Sequence, residues 1–302
     1  GGVVGEDRGM GQAHRSLSLA GALLGLAALA VPGQVGAGDD DAIRLIVRGD
    51  DMGSSECSNR AHIACYTDGV MRTVEVMAVG PWFPEAARLL RENPGLDVGL
   101  HLALTSEWDT VKWRPLTTAP SLVEEGGWFF PMIWPNEDYG KDRALKEQAW
   151  KLDEIEGELR AQIELTQREV PHVSHLSGHM GISAIGEEVG ALVKRLAAEY
   201  GLDIDPREHG VQGLRWDGPK ETPAEKIETF AGMLEKLGPG TWVFVDHPAY
   251  DVPEMRAVRH VGYENVAVDR QGVVEAWTSA KAKEIVARRG IELIGYRDLV
   301  GP

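Results

Sequence analysis

Two adjacent carboxylates, Asp50 and Asp51, stand in Arg48-Gly49-Asp50-Asp51-Met52-Gly53, directly after an apolar run holding Ile43, Leu45, Ile46 and Val47. Histidines recur in comparable places further along. His101 lies in Gly99-Leu100-His101-Leu102, His175 and His179 form an H-x-x-x-H array, and His247 precedes Pro248. One carboxylate with two imidazoles is a common ligand set for a catalytic divalent metal, leaving positions open for water. Such an ion acidifies water and polarises an acyl oxygen, while a nearby carboxylate accepts a proton and a general acid protonates the leaving group. An isolated Asp-Asp pair reads more simply as a solvated acidic turn, and a lone histidine as structural. Four of the nine histidines falling at the ends of predicted strands shifts the balance toward chemistry.

The elements that must position these residues alternate in type. The run ending at Val47 reads as a buried strand, followed by a Ser54-Ser55 N-cap and a helix to Thr67. Strands are predicted over Thr73–Met77, Val98–Leu102, His172–Leu176, Val211–Trp216, Thr241–Val245 and Ile291–Ile294. Helices are predicted over Trp82–Glu92, Arg143–Gln167, Ala184–Tyr200, Pro223–Leu237 and Ala280–Arg289. Alternating β and α units argue for a parallel α/β sheet, either a (β/α) barrel or an open doubly wound sheet. Successive strand residues face opposite ways, so Asp50 and Asp51 need not share a task. Between Thr105 and Asp142 the periodicity fails, and four tryptophans (Trp108, Trp113, Trp128, Trp134) crowd among prolines. A loop this long in a compact domain is usually functional or disordered, and its aromatic content argues against disorder.

The 302 residues (32.9 kDa) suit one large domain or two small ones with ample core. A formal charge of −16 and a pI near 5.0 argue against a nucleic-acid partner. Met10 is a plausible start, with Gly1 to Gly9 as an upstream extension. His14 and Arg15, an apolar run from Leu17 to Val31, and small residues closing the segment describe a cleaved secretory signal peptide. The expected division is therefore 1–41 as extension and signal and 42–302 as the domain, exported to the periplasm or beyond, with no other membrane-spanning stretch. Cys57 and Cys65 fall eight residues apart in one predicted helix, about 12 Å, too far for a disulfide. His62, His172, His209 and His260 read as structural. Glu107 and Asp109 border the long loop and are candidates to touch substrate, although a solvated acidic loop is the simpler reading.

The ordered set Gly-Asp-Asp-Met-Gly, Gly-Leu-His-Leu, His-x-x-x-His and His-Pro resembles the YdjC-like (ChbG-type) carbohydrate deacetylases across residues 42 to 299, together with Asn59, Gly69 and Gly80-Pro81. The resemblance implies a (β/α) barrel-like fold with outer helices and metal-dependent removal of an acetyl group from an N-acetylated oligo- or polysaccharide. It implies Asp51, His101 and His179 as ligands of one divalent ion (Zn2+ or Mg2+), Asp50 as general base and His247 as a second acid–base group. His175 would support a ligand from behind. Trp108 and Trp113 are candidates to stack on sugar rings, or else to form a small core under the loop; Arg215 and Tyr250 are further substrate-contact candidates. Arg48 departs from the small or polar residues common in the family at that place, and His179-Met180-Gly181 replaces a more frequent Gln-x-His continuation. The alternatives are a non-catalytic carbohydrate-binding protein and a metal hydrolase of an ester, phosphate or glycosidic bond. A homodimer is one option for the assembly.

Overall fold

The computed structural model describes residues 41–301; the upstream extension and signal peptide expected from the sequence lie outside the described residues. A parallel sheet is organised around one long strand, β1 (Ile43–Met52). Its first half pairs with β6 (Gly240–Asp246) and β7 (Glu292–Leu293), and its last part with β2 (Thr73–Val76). The sheet continues from β2 to β3 (Asp97–Leu102) and β4 (Val173–Gly178), and on the other side from β6 to β5 (Gln212–Leu214). Every pairing is parallel, so all strands deliver their C-terminal residues to one rim. Residues 202–211 run between the two outer strands, and Asp203 makes an isolated antiparallel bridge to His175 of β4. The architecture is α/β, a parallel sheet with surrounding helices whose hydrogen-bonded path ends at β4 on one side and β5 on the other, without a β4–β5 ladder among the described residues.

Alternation along β1 separates two apolar clusters. Leu45 and Val47 belong to the main core, packed under the helices, whereas Ile46 joins Ile294 and Tyr296 with Val243, Ile204 and Leu299 on the opposite face. The surrounding helices are α1 (Glu56–Thr67), α2 (Phe83–Glu92), α3 (Leu152–Glu169), α4 (Glu187–Tyr200), α5 (Pro223–Lys236), α6 (Pro253–Ala257), α7 (Val266–Thr278) and α8 (Ala280–Arg289). Local chemistry marks their ends. Ser55 caps α1 by accepting from Ser58 N, Thr222 and Glu225 form a capping box on α5, and Gly201 and Gly290 adopt left-handed conformations after α4 and α8. Cys57 and Cys65 are both free and buried in α1.

Two expectations need correction. The charged stretch from Arg143 does not open a long helix: α3 begins at Leu152, and one-turn 3-10 segments occupy Lys141–Arg143 and Leu145–Glu147. Leu145 N instead donates to Met132 O at 2.8 Å, so pairing with the long loop outweighs a helical composition. Helix α7 was not foreseen. It is buried on most sides, with Val266, Ala267, Arg270, Val273, Val274, Ala276 and Trp277 all inaccessible, so it lacks a clear polar stripe.

The long segment after β3 is fastened to α3 by one buried carboxylate. Glu158 accepts from Leu116 N at 3.1 Å, Thr117 N at 3.0 Å, Thr117 Oγ1 at 2.7 Å and Gln162 Nε2 at 2.8 Å. Replacing it by alanine strands several donors away from water, each worth about 1–3 kcal/mol when buried and unpaired. Glu158→Ala is therefore expected to lower unfolding free energy by about 2–4 kcal/mol in a urea titration. A change below about 0.5 kcal/mol would mean that the carboxylate is not the fastening.

Candidate active site

Asp50 and Asp51 end β1, His101 is the penultimate residue of β3, His179 follows β4, and His247 follows β6. Ligand sites of parallel α/β sheets gather at this C-terminal rim. Strict alternation would send the two aspartates to opposite faces, but Asp51 has φ +68°. That left-handed turn brings both carboxylates to one place: His101 Nε2 lies 3.7 Å from Asp50 Oδ2 and 3.6 Å from Asp51 Oδ1. Such a conformation outside glycine costs on the order of 1–3 kcal/mol and persists where surroundings dictate it. Here they do. His62 Nε2 donates to Asp50 O at 3.0 Å, Gly53 N donates to Asn59 Oδ1 at 2.7 Å, and a Cβ on Gly49 would sit 2.6 Å from His62 Cδ2.

His179 Nδ1 comes within 3.3 Å of Asp51 Oδ1, while its Nε2 meets Glu107 Oε2 at 3.0 Å. Asp51, His101 and His179 each offer one ligand atom, all within 4.8 Å of one another, a set able to hold a metal ion. Asp51 Oδ1 is buried and has no hydrogen bond of good geometry, His179 Nδ1 standing 3.3 Å away, and a carboxylate oxygen left so between two imidazoles suits a cation. His247 approaches from the other side, with Nε2 3.7 Å from Asp51 Oδ2. It is the most open of the group, 37% exposed against 5% or less for the other named histidines and aspartates of the cluster apart from Asp50 at 6%. Arg270 of α7 also faces Asp51 Oδ2, at 3.5 Å.

The charges follow from this arrangement. Burial opposes ionisation of Asp51, but His247, His179 and Arg270 more than offset it and hold the carboxyl well below its usual range. Burial likewise disfavours the His179 cation, yet Glu107 and Asp51 overcome it and raise the imidazole to about 10. His247 is raised as well: burial works against its charge, while Asp51 and a hydrogen bond to Asp246 favour it. Asp50 is gripped by the Arg48 fork, Nε to Oδ1 and Nη2 to Oδ2, both 2.7 Å.

The family model of the YdjC-like proteins matches residues 44–288. This chain belongs to the YdjC-like family. Within it, the chain is 28% identical over 274 residues to a chitooligosaccharide deacetylase of Serratia marcescens, covering 84% of this chain and 98% of that one. It is 26% identical over 271 residues to carbohydrate deacetylase 2 of Listeria innocua serovar 6a (85% and 99% covered), and 30% identical over 235 residues to a carbohydrate deacetylase of Thermus thermophilus (71% and 80%). The fold is shared with a solved protein of Enterococcus faecalis V583 named for cellobiose-phosphate cleavage, at TM-score 0.64 and 22% identity, covering 85% of this chain and 99% of that one.

Other residues of this YdjC-like chain fall less centrally than their chemistry suggested. Trp113 is buried, donates from Nε1 to Thr105 O at 2.6 Å, and sets its ring edge against His179. Trp108 is also buried, stacked on His260 with the Arg270 guanidinium 5.1 Å from its ring centroid. Both tryptophans thus back the polar residues and do not offer an open face to a sugar. Arg215 is exposed just past β5, and Tyr250 lies beneath the Arg60 guanidinium of α1; neither makes a side-chain hydrogen bond or ion pair to the cluster among the described residues. His175 is buried two layers down, its Nε2 2.7 Å from Glu75 Oε1 and its ring stacked on Tyr296.

Four participants escaped the sequence reading. Glu107, read as a solvated loop acid, is 5% exposed and bonded to His179. Glu75 carried a usable signal, a charged residue inside a predicted β-branched strand. Burial raises its carboxyl, but His175 and Arg48 lower it to about 2. Ser177 sits within the H-x-x-x-H array, and Arg270 lies in the unforeseen α7; neither had a signal beyond its type.

A metal bound at Asp51, His101 and His179 would have to displace the proton that Glu107 and Asp51 favour on His179. Zn2+ binding near pH 7.5 is therefore expected to release about one proton, read by calorimetry in buffers of different ionisation enthalpy. The sign also fixes a stability trend. A pKa raised from 6.5 to about 10 supplies stability that is complete below 6.5 and is lost as pH climbs through 10. Thermal melts of chelator-treated protein should fall across that window, and His179→Gln should flatten the fall. Zn2+ uptake without proton release would contradict the charged His179.

Proposed function

We propose that this chain is a metal-dependent hydrolase that removes the acetyl group from an N-acetylated carbohydrate. The observation that carries the reading is the buried, unpartnered Asp51 Oδ1 converging with His101 Nε2 and His179 Nδ1, with Asp50 beside them. Relatives named carbohydrate and chitooligosaccharide deacetylases support the substrate class. Asp51, His101 and His179 are the proposed ligands of a divalent cation, Zn2+ or Mg2+. When bound, the ion supplies a Lewis acid that acidifies water and polarises an acyl oxygen.

The chain's own groups then divide the proton work. Asp50, its oxygens oriented by the Arg48 fork, takes a proton from the attacking water as that oxygen adds to the acetyl carbon. The C–N bond breaks, and the departing nitrogen needs a proton to leave as an amine. His247 is placed to give it: it is the most exposed of the histidines around Asp51, its cation is favoured by Asp51 and Asp246, and Asp246 Oδ1 accepts from His247 N at 2.8 Å. Acetate and the free amino sugar are the products. Arg270 keeps Asp51 ionised from the α7 side. Export through the N-terminal apolar segment belongs to the same proposal and would place the enzyme with extracellular or periplasmic glycans.

Acetate release from N-acetylated chito-oligosaccharides, compared with O-acetylated glycans and measured with and without chelator, tests this reading. Release from the amide substrates that stops with chelator and returns with Zn2+ is the expected result. Acetate only from esters, or none from either substrate, would overturn it. Asp50→Asn is expected to keep stoichiometric metal while losing about 10²–10⁴-fold in kcat. His101→Ala and His179→Ala should lose both metal and activity. His247→Ala should lower kcat by a similar 10²–10⁴-fold factor and remove the alkaline limb of the pH profile. Equal metal loss in Asp50→Asn would contradict its assignment as base.

A further inference from the structure

Beneath the cluster lies a polar chain that the proposed reaction does not use. His101 Nδ1 is 2.7 Å from Ser177 Oγ on the neighbouring strand β4, and Ser177 Oγ in turn donates to Glu75 Oε2 on β2. Glu75 is wholly buried, with Oε1 2.7 Å from His175 Nε2 and 3.7 Å from Arg48 Nε. The parallel register accounts for this meeting: Glu75 pairs with Gly99, and Ser177 pairs with His101. Gly99 is needed there, because a Cβ at that position would stand 2.3 Å from Glu75 Oε2 and 2.4 Å from His175 Nε2.

For a neutral His101 the donors and acceptors leave a single consistent arrangement. A carboxylate has only acceptors, so the Ser177 hydroxyl hydrogen is committed to Glu75. Ser177 Oγ can then only accept from His101, which places the proton on Nδ1. The Nε2 lone pair is left facing Asp51, 3.6 Å away. We propose that Glu75 and Ser177 are positioning residues that lock His101 in the tautomer able to ligate a metal through Nε2. The inference rests on the proposed metal role of Asp51, His101 and His179. Hydrogen bonds to the far nitrogen of a ligating histidine fix its tautomer and ring orientation, and their loss typically costs 10–100-fold in metal affinity. Arg48 supplies Glu75 with positive charge and His175 Nε2 supplies it with a donor, so the negative end of the chain is secured inside the protein.

The test uses the full chain and Zn2+ alone, without substrate. Metal affinity is measured by competition with a chromophoric chelator, and the His101 tautomer in the metal-free protein by long-range 1H–15N correlation. In the wild-type chain the proton is expected on Nδ1. Ser177→Ala should weaken Zn2+ binding by about 10–100-fold and populate the Nε2–H form, while Ser177→Thr, which keeps the hydroxyl, should restore both. Glu75→Gln should weaken binding similarly, because an amide can donate to Ser177 and reverse the direction of the chain. Unchanged affinity with an unchanged tautomer in Ser177→Ala would overturn the proposal. So would loss of the fold in both Ser177→Ala and Glu75→Gln, which would assign the pair a purely structural task. Neither readout involves acetate, so the relay stands or falls separately from the deacetylase reading.

Discussion

Two neighbouring carboxylates buried at the end of the central strand set the terms for the rest of this molecule. Ionised carboxylates this close repel one another, and each must be taken out of water against a large desolvation cost. The fold answers with separate counter-charges. Arg48 clamps Asp50 from within the same strand, whereas His179, His247 and Arg270 converge on Asp51 from three other segments. The left-handed turn at Asp51 makes this possible, since an ordinary extended strand would have separated the pair. A site built on two buried carboxylates faced by imidazoles is suited to a cation.

Much of the scaffold was legible because strand and helix signals were strong and local. The apolar β-branched runs, the Ser55 cap and the glycine-punctuated turns placed the second and third strands and the first two helices within about a residue or two, whereas β1 continues past the expected end at Val47 to Met52. The histidines near the strand ends were legible for the same reason: they lie in or just after short apolar runs, of which β3 is buried on both faces and β4 and β6 are only partly so. The residues that escaped are those whose significance depends on partners far away in sequence. Glu75 matters because β2 and β3 bring it beneath His101, and nothing near it in the chain announces that. Arg270 sits in a helix without an amphipathic stripe, so periodicity could not find it. The stretch from Arg143 misled in the opposite way, since its composition favours a helix while Leu145 is drawn into pairing with Met132.

The tryptophans teach a related lesson. Aromatic residues in an irregular segment suggest a surface that meets sugar, yet Trp108 and Trp113 turn inward and pack against His260 and His179. A segment with little regular backbone pairing has to obtain its stability from side chains, and large rings bury the most area per residue ordered. Glu158 contributes the complementary polar anchor from α3. The segment is therefore part of the core over much of its length.

Glu107 belongs to that segment and bonds to His179 at the centre of the cluster. Divergence in the wall beside the rim is thus constrained from within. A transplanted or shortened wall that omits an acid at this point would strip a cluster histidine of its partner, whatever new groove it created. Exchanging this wall to redirect selectivity therefore calls for carrying the acid along, so that the new groove does not loosen the histidine beneath it.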